Sequence, residues 1–123
     1  MAMMPARKRP VGWWSCWSIV ILLAGCGGPP KKVDLLDLEH PDPAVRIRAI
    51  KWAGENQLME AVPLLVDRLQ EQDASVRFYA IISLKRITGT DHGYDYKADA
   101  AARAEAVARW RQALRLRADR EKR

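Results

Sequence analysis

The chain holds only two cysteines and two histidines among its 123 residues. Cys16 and Cys26 lie in and at the end of one apolar segment, so a disulfide between them would constrain no folded domain. With the distant His40 and His92 they match no zinc spacing, and no metal or cofactor is expected. There is no glycine-rich phosphate loop, no nucleophile placed beside a base and no carboxylate pair with a cleft to occupy, so no catalytic residue is assigned. No apolar run approaches the ~20 residues that a helix needs to cross a ~30 Å hydrocarbon layer. Acidic residues are missing from the first 25 positions, which hold Arg7, Lys8 and Arg9. The basic excess is therefore uneven. Residues 103–123 carry eight Lys/Arg against three acids, whereas residues 26–102 carry ten against twelve. A nucleic-acid-binding domain is basic across its body and not only at its ends, so nucleic acid is not expected as a partner.

What is present begins with an address. Behind the basic cluster, residues 11–24 read VGWWSCWSIVILLA, a 14-residue stretch without charge. Basic region, short apolar region and small residues before a cut are the three parts of a secretory signal. Gly25, Gly27, Gly28, Pro29 and Pro30 end the run. A retained N-terminal anchor is the alternative. The stretch Leu23-Ala24-Gly25-Cys26 resembles the bacterial lipobox. That resemblance implies transfer of a diacylglyceryl group to the Cys26 sulfur, cleavage after Gly25 and acylation of the new amino group. Small Ala24 and Gly25 would admit the peptidase, and only a thiol makes the thioether. Several acyl chains, each CH₂ contributing ~0.8 kcal/mol on burial, would anchor the chain durably where one chain would not. Residues 1–25 thus read as a lipoprotein signal peptide and residues 26–32 as a lipidated tether, flexible at Gly27-Gly28, stiffer at Pro29-Pro30 and basic at Lys31-Lys32.

The body repeats itself. Residues 42–50, DPAVRIRAI, align with residues 73–81, DASVRFYAI, at an offset of 31. Leu38 then falls on Leu69 and Leu35 on Val66. A period of this size marks stacked helical repeats. Asp42 and Asp73 stand as N-caps, with Pro43 at a first helical position that does not need its N–H. Helical spacing follows in Val45, Ala49, Trp52 and Ala53, and again in Val76, Ala80, Ile81, Leu84 and Ile87. Gly54 and Gly89 are placed to end these helices. A shorter apolar helix is expected before each, over residues 33–40 and 59–70, with Pro63 near the start of the second. The pattern resembles the HEAT-like repeats of the phycobilisome-lyase type, whose signature runs A-V-P-x-L and then L-x-D-x-D-x-x-V-R-x-x-A. The chain matches it at Ala61-Val62-Pro63-Leu64-Leu65, Leu69, Asp73, Val76-Arg77, Ala80 and Leu84, and in the earlier copy at Leu38, Asp42, Val45-Arg46 and Ala49. The first copy lacks the A-V-P-x-L opening and carries Trp52 where a smaller residue is usual. Asp42/Arg46 and Asp73/Arg77 read as i, i+4 surface pairs whose arginine stems also cover apolar surface.

Residues 91–97 read as a loop, and Asp91, His92 and Asp95 as a solvated turn. Residues 98–123 read as a basic capping helix, with Ala106, Val107, Trp110, Ala113 and Leu114 as its inward stripe. Arg109, Arg111 and Arg115 are expected largely outside, and the final ADREKR is expected to fray. The sequence therefore predicts an all-α fold behind a cleaved signal: a short solenoid of two helix pairs over residues 33–90 plus a C-terminal cap. The expected role is a non-catalytic protein–protein interaction module, lipid-anchored in the bacterial cell envelope at either membrane and facing an envelope protein. Arg48, Lys51, Phe78 and Tyr79 are its candidate binding surface. Three alternatives stand beside it: a basic C-terminal helix that binds lipid headgroups or nucleic acid; an accessory subunit or remote relative of a bilin lyase, as the resemblance implies; and a structural role that holds the membrane to a wall or partner layer.

Overall fold

Two prolines decide how the described part of the molecule begins. The structure, a computed structural model, describes residues 32–123. Cys26 and the lipobox residues Leu23, Ala24 and Gly25 lie outside them. The first element is a 3-10 helix, Leu35–Glu39, not the longer helix expected over residues 33–40. Pro41 biases the residue before it to an extended conformation, and His40 sits at φ −60, ψ 141. The segment stops after five residues, already long for a 3-10 helix. The Asp37 carboxylate accepts the N–H of Asp34 at its start (3.1 Å).

The other elements are α1 (Pro43–Glu55), a 3-10 turn (Met59–Ala61), α2 (Val62–Arg68), α3 (Ala74–Thr88) and α4 (Ala100–Glu121). The described residues contain helices and no strand. Asp42 caps α1 by accepting from the Ala44 N–H at 2.9 Å, and Asp73 caps α3 by accepting from Ser75 at 2.8 Å and Val76 at 3.4 Å. Pro63 falls in the first turn of α2, where it leaves no helical hydrogen bond unmade.

Gly89 ends α3 in the left-handed region, φ 81, as a C-terminal glycine does. Gly54 does not play that part. α1 runs through it to Glu55, and the left-handed residue is Gln57 at φ 50. The N–H of Leu58 bonds to the Ala53 carbonyl and that of Gln57 to the Gly54 carbonyl, which is a Schellman motif built without glycine. Gly54 serves packing instead. A Cβ there would meet Ser83 Oγ at 2.5 Å and Ser83 Cα at 3.0 Å. Ser83 Oγ donates to the Ile50 carbonyl at 2.9 Å across the same seam. Small buried residues, Ala49, Ala53 and Gly54 on α1 and Ala80 and Ser83 on α3, thus bring the two repeat helices close together.

The offset of 31 in sequence is an equivalence in space. Leu38 and Leu69 are both fully buried, as are Ala49 and Ala80. The repeat arginines depart from the expected i, i+4 pairing with Asp42 and Asp73. Arg46 donates to the His40 and Pro41 carbonyls at 2.6 and 2.9 Å, six and five residues upstream. Arg77 donates to the Glu71 and Gln72 carbonyls at 2.7 and 2.6 Å, at the same two separations. Arg103 on α4 reaches the Ala98 carbonyl, five residues upstream. Each aspartate is occupied with its own cap, and each guanidinium closes the turn that leads into its helix. Glu71 then ties the repeats together, accepting from Arg46 at 3.2 Å and from Arg68 at 2.9 Å.

α4 closes the stack. Ala106, Val107 and Trp110 are buried, and Ala113 and Leu114 are half-buried, so the predicted stripe faces the core. The helix continues to Glu121 where fraying was expected. An Arg117–Glu121 pair (3.1 Å) spans its last turn, and Arg120 and Lys122 stand where the helix dipole favours cations.

Candidate functional site

The four predicted surface residues lie on the two repeat helices that pack against each other. Arg48 and Lys51 are one turn apart on α1, and both are exposed. Phe78 and Tyr79 are neighbours on α3, and both are half-buried, so neither is wholly turned from the core. The structure brings three of the four together. Lys51 Nζ stands 5.5 Å from the centroid of the Tyr79 ring, and the Phe78 and Tyr79 rings meet edge to face with centroids 5.3 Å apart. Arg48 extends the same helix one turn toward its N-terminus.

Two participants were missed from the sequence. Tyr96, in the loop between α3 and α4, meets Phe78 edge to face at 5.0 Å. Lys97 Nζ stands 5.5 Å from the Tyr96 ring centroid, mirroring Lys51 on Tyr79. The result is a continuous row, Lys51–Tyr79–Phe78–Tyr96–Lys97, that crosses α1, α3 and the loop. Ile82, one turn beyond Phe78 and Tyr79, is 39% exposed and extends the apolar part of the row. The alternation Tyr94-Asp95-Tyr96 carried a signal: in an extended segment, residues two apart face one way only if the strand is regular. Here Tyr94 is buried, whereas Tyr96 is only half-buried.

The loop that carries Tyr96 is tied down from several elements. Arg77 Nε and Nη2 donate to the Tyr96 carbonyl at 3.2 and 3.1 Å. The Tyr94 hydroxyl donates to the Leu69 carbonyl at 2.5 Å. Trp110 Nε1 donates to the Asp91 carbonyl at 3.1 Å, and Arg109 Nε to that of His92 at 2.9 Å. Burial pushes the Tyr94 phenol above its ordinary pKa. The row is thus presented on a held frame, which lowers the entropy lost when something binds it.

The Asp91, His92 and Asp95 turn has local work. Asp91 accepts the Gly93 N–H at 2.9 Å, which holds its carboxyl below the usual carboxylate value, with Lys85 adding to the effect at 3.6 Å. Asp95 accepts the Lys97 N–H at 2.8 Å. The His92 ring meets Trp110 edge to face at 4.4 Å. Among the described residues, no three His, Cys, Asp or Glu side chains converge to hold a metal ion. No helix among them is long and apolar enough to cross a membrane.

Of the basic residues on α4, Arg111 pairs with Asp67 at 3.2 Å and Arg109 is held by the loop, so these two brace the cap. Arg115 and the residues after it extend past the buried stripe, and Leu116 among them is 55% exposed. An open groove runs between this arm and the turn at Met59–Pro63. A second open groove adjoins it across Glu60, between Val33, Leu35, Trp52 and Leu58.

No curated protein and no solved structure matches the chain significantly. The family profile for HEAT repeats matches residues 33–118, a span that takes in every helix of the stack except the last three residues of α4. Two Asp-capped helices joined along a seam of small residues, each behind a shorter helical segment and followed by a helix that closes the end, are what that match covers, and the chain belongs to the HEAT-repeat family.

Proposed function

We propose that this protein is a lipid-anchored, non-catalytic recognition module of the bacterial cell envelope, which grips a partner protein through the α1–α3 face. HEAT repeats generally mediate protein–protein interaction. The observation that carries the reading for this chain is the row Lys51–Tyr79–Phe78–Tyr96–Lys97. Aromatic side chains framed by cations, half-exposed on a rigid support, have the composition of interface hot spots. Anchoring rests on the sequence: Leu23-Ala24-Gly25-Cys26 resembles a lipobox behind a basic and then apolar leader.

Two experiments test the two halves. Mass spectrometry of the protein isolated from membranes reads the mature N-terminus; an S-diacylglyceryl Cys26 supports the anchor, and an intact Met1 with a free Cys26 thiol removes it. Affinity capture from detergent extracts compares the wild type with Phe78→Ala/Tyr79→Ala, circular dichroism serving as the check on folding. A partner lost from a folded variant supports the face; undiminished capture removes it.

A second reading is favoured by the arm of α4. Arg115, Arg120, Lys122 and Arg123 are exposed beside exposed Leu116, a composition suited to anionic lipid headgroups. Because Trp110 is core, the test is deletion of residues 116–123 and not of the helix. Steep salt dependence of binding to anionic vesicles, lost on that deletion, supports it.

A further inference from the structure

The charge around the aromatic row is one-sided. α1 and α3 together hold six Lys/Arg and a single acid, Glu55. Three of the six cations are occupied inside the fold: Arg46 with Glu71, Arg77 with loop carbonyls and Lys85 with Asp91. Arg48, Lys51 and Arg86 are left exposed, and the loop adds Lys97. Among the described residues, none of these four is within ion-pair distance of a carboxylate, although five ion pairs form elsewhere on the molecule. The nearby aspartates are engaged with backbone. Asp73 accepts from Ser75, Asp95 from Lys97 and Asp99 from Ala102.

Two of the four cations are also positioned. Lys51 and Lys97 each stand 5.5 Å from a tyrosine ring centroid, one at either end of the row. A contact of that kind orients an ammonium and leaves N–H donors free for a carboxylate, and a hydrogen bond charged on both sides is about twice as strong as a neutral one. Between the two ammonium groups lie the Tyr79, Phe78 and Tyr96 rings, an apolar centre with a cationic rim.

We infer that the face takes an acidic segment of the partner protein, with carboxylates meeting Lys51 and Lys97 and an apolar side chain of the same segment set on Phe78 and Tyr79. This inference rests on the reading of the α1–α3 face as a protein-binding surface. Complementary charge speeds encounter and fixes register, and the apolar anchor supplies residence. The arrangement discriminates by repulsion as well, since a basic segment would meet four cations against the single carboxylate of these two helices, Glu55.

The test uses the full-length chain in the membranes of the cells that make it, with Ile82→p-benzoylphenylalanine as photo-crosslinker. Position 82 is exposed and outside the aromatic row, so the row stays intact. The crosslinked partner peptide is sequenced, and the yield is compared in Lys51→Glu/Lys97→Glu and Lys51→Arg/Lys97→Arg backgrounds. The expected result is a segment rich in Asp and Glu, a yield about tenfold lower after charge reversal and a yield retained with arginine. A protein crosslink to a neutral or basic segment, or one indifferent to charge reversal, overturns the acidic segment and leaves the protein-binding face standing. Crosslinks to lipid alone, or none at all, overturn both.

Discussion

At the residue scale, the side chain with most depending on it is Arg77. Its guanidinium bonds to three carbonyls, from Glu71, Gln72 and Tyr96, and so holds the turn into α3 and the loop that supplies Tyr96. Hydrogen bonds to charged groups contribute about 1.5–3 kcal/mol each, and their loss would leave part-buried carbonyls unpaired. Arg77→Ala is expected to lower unfolding stability by about 3 kcal/mol in denaturant titration. Arg77→Lys should recover little of that, because an ammonium lacks the planar fork. Gly54→Ala should cost about 1–3 kcal/mol by overpacking, since its methyl would press on Ser83 down to the backbone. Tyr94 sets an alkaline limit. Its phenol is raised above the ordinary value chiefly by burial, so the folded state prefers the neutral form. That contribution is fully present below about pH 10, the unfolded value, and is lost as pH rises through the folded one. Stability measured against pH should therefore fall above about pH 10 in the wild type, and less steeply in Tyr94→Phe. Arg77 showed in the sequence only as a repeated Val-Arg pair. Its roles were misread because a residue four places from an aspartate suggests a surface ion pair, whereas Asp73 had already committed its carboxylate to capping.

At the scale of elements, what was legible followed local rules. Asp42 and Asp73 as caps, Pro63 in the first turn of α2, Gly89 at φ 81 and the inward stripe of α4 all follow from side-chain chemistry near the residue concerned. What was not legible depended on neighbours distant in sequence. Gly54 looks like a helix end until α3 is packed against it. Leu35–Glu39 is the exception, since the effect of Pro41 on the adjacent His40 is a local signal that the expected helix over residues 33–40 left uncounted. The poor match of the first repeat to the family signature, which lacks the A-V-P-x-L opening, corresponds to that shortened segment. α4 divides in function along its length. Trp110 is 1% exposed and donates to the Asp91 carbonyl, so Trp110→Ala is expected to cost about 3–5 kcal/mol. Deletion of residues 116–123, which lie beyond the buried stripe, should change stability by less than about 1 kcal/mol. Thermal unfolding of the two variants side by side checks this division; a large loss from the deletion would place the arm in the core.

At the scale of the whole molecule, a stack this short has little surface that is not end or edge, and α4 covers one end. The composition separated a basic leader, a near-balanced body and a basic last helix, and the period of 31 pointed to stacking; the family match over residues 33–118 supports the stacking. The proposed recognition face was only partly legible. Arg48, Lys51, Phe78 and Tyr79 could be picked from two repeat helices, but Tyr96 and Lys97 join them because five hydrogen bonds from Arg77, Tyr94, Arg109 and Trp110 hold the loop on the stack. The account places recognition on the α1–α3 side and gives the cap a supporting part. The most direct test is a photo-crosslinking scan of the full-length chain in membranes, with p-benzoylphenylalanine placed in turn at Arg48 and Ile82 on that side and at Ala108 and Gln112 on the exposed side of α4. The account predicts one protein partner labelled from positions 48 and 82 and little from 108 and 112. Labelling that is equal on both sides, or stronger from α4, would contradict it.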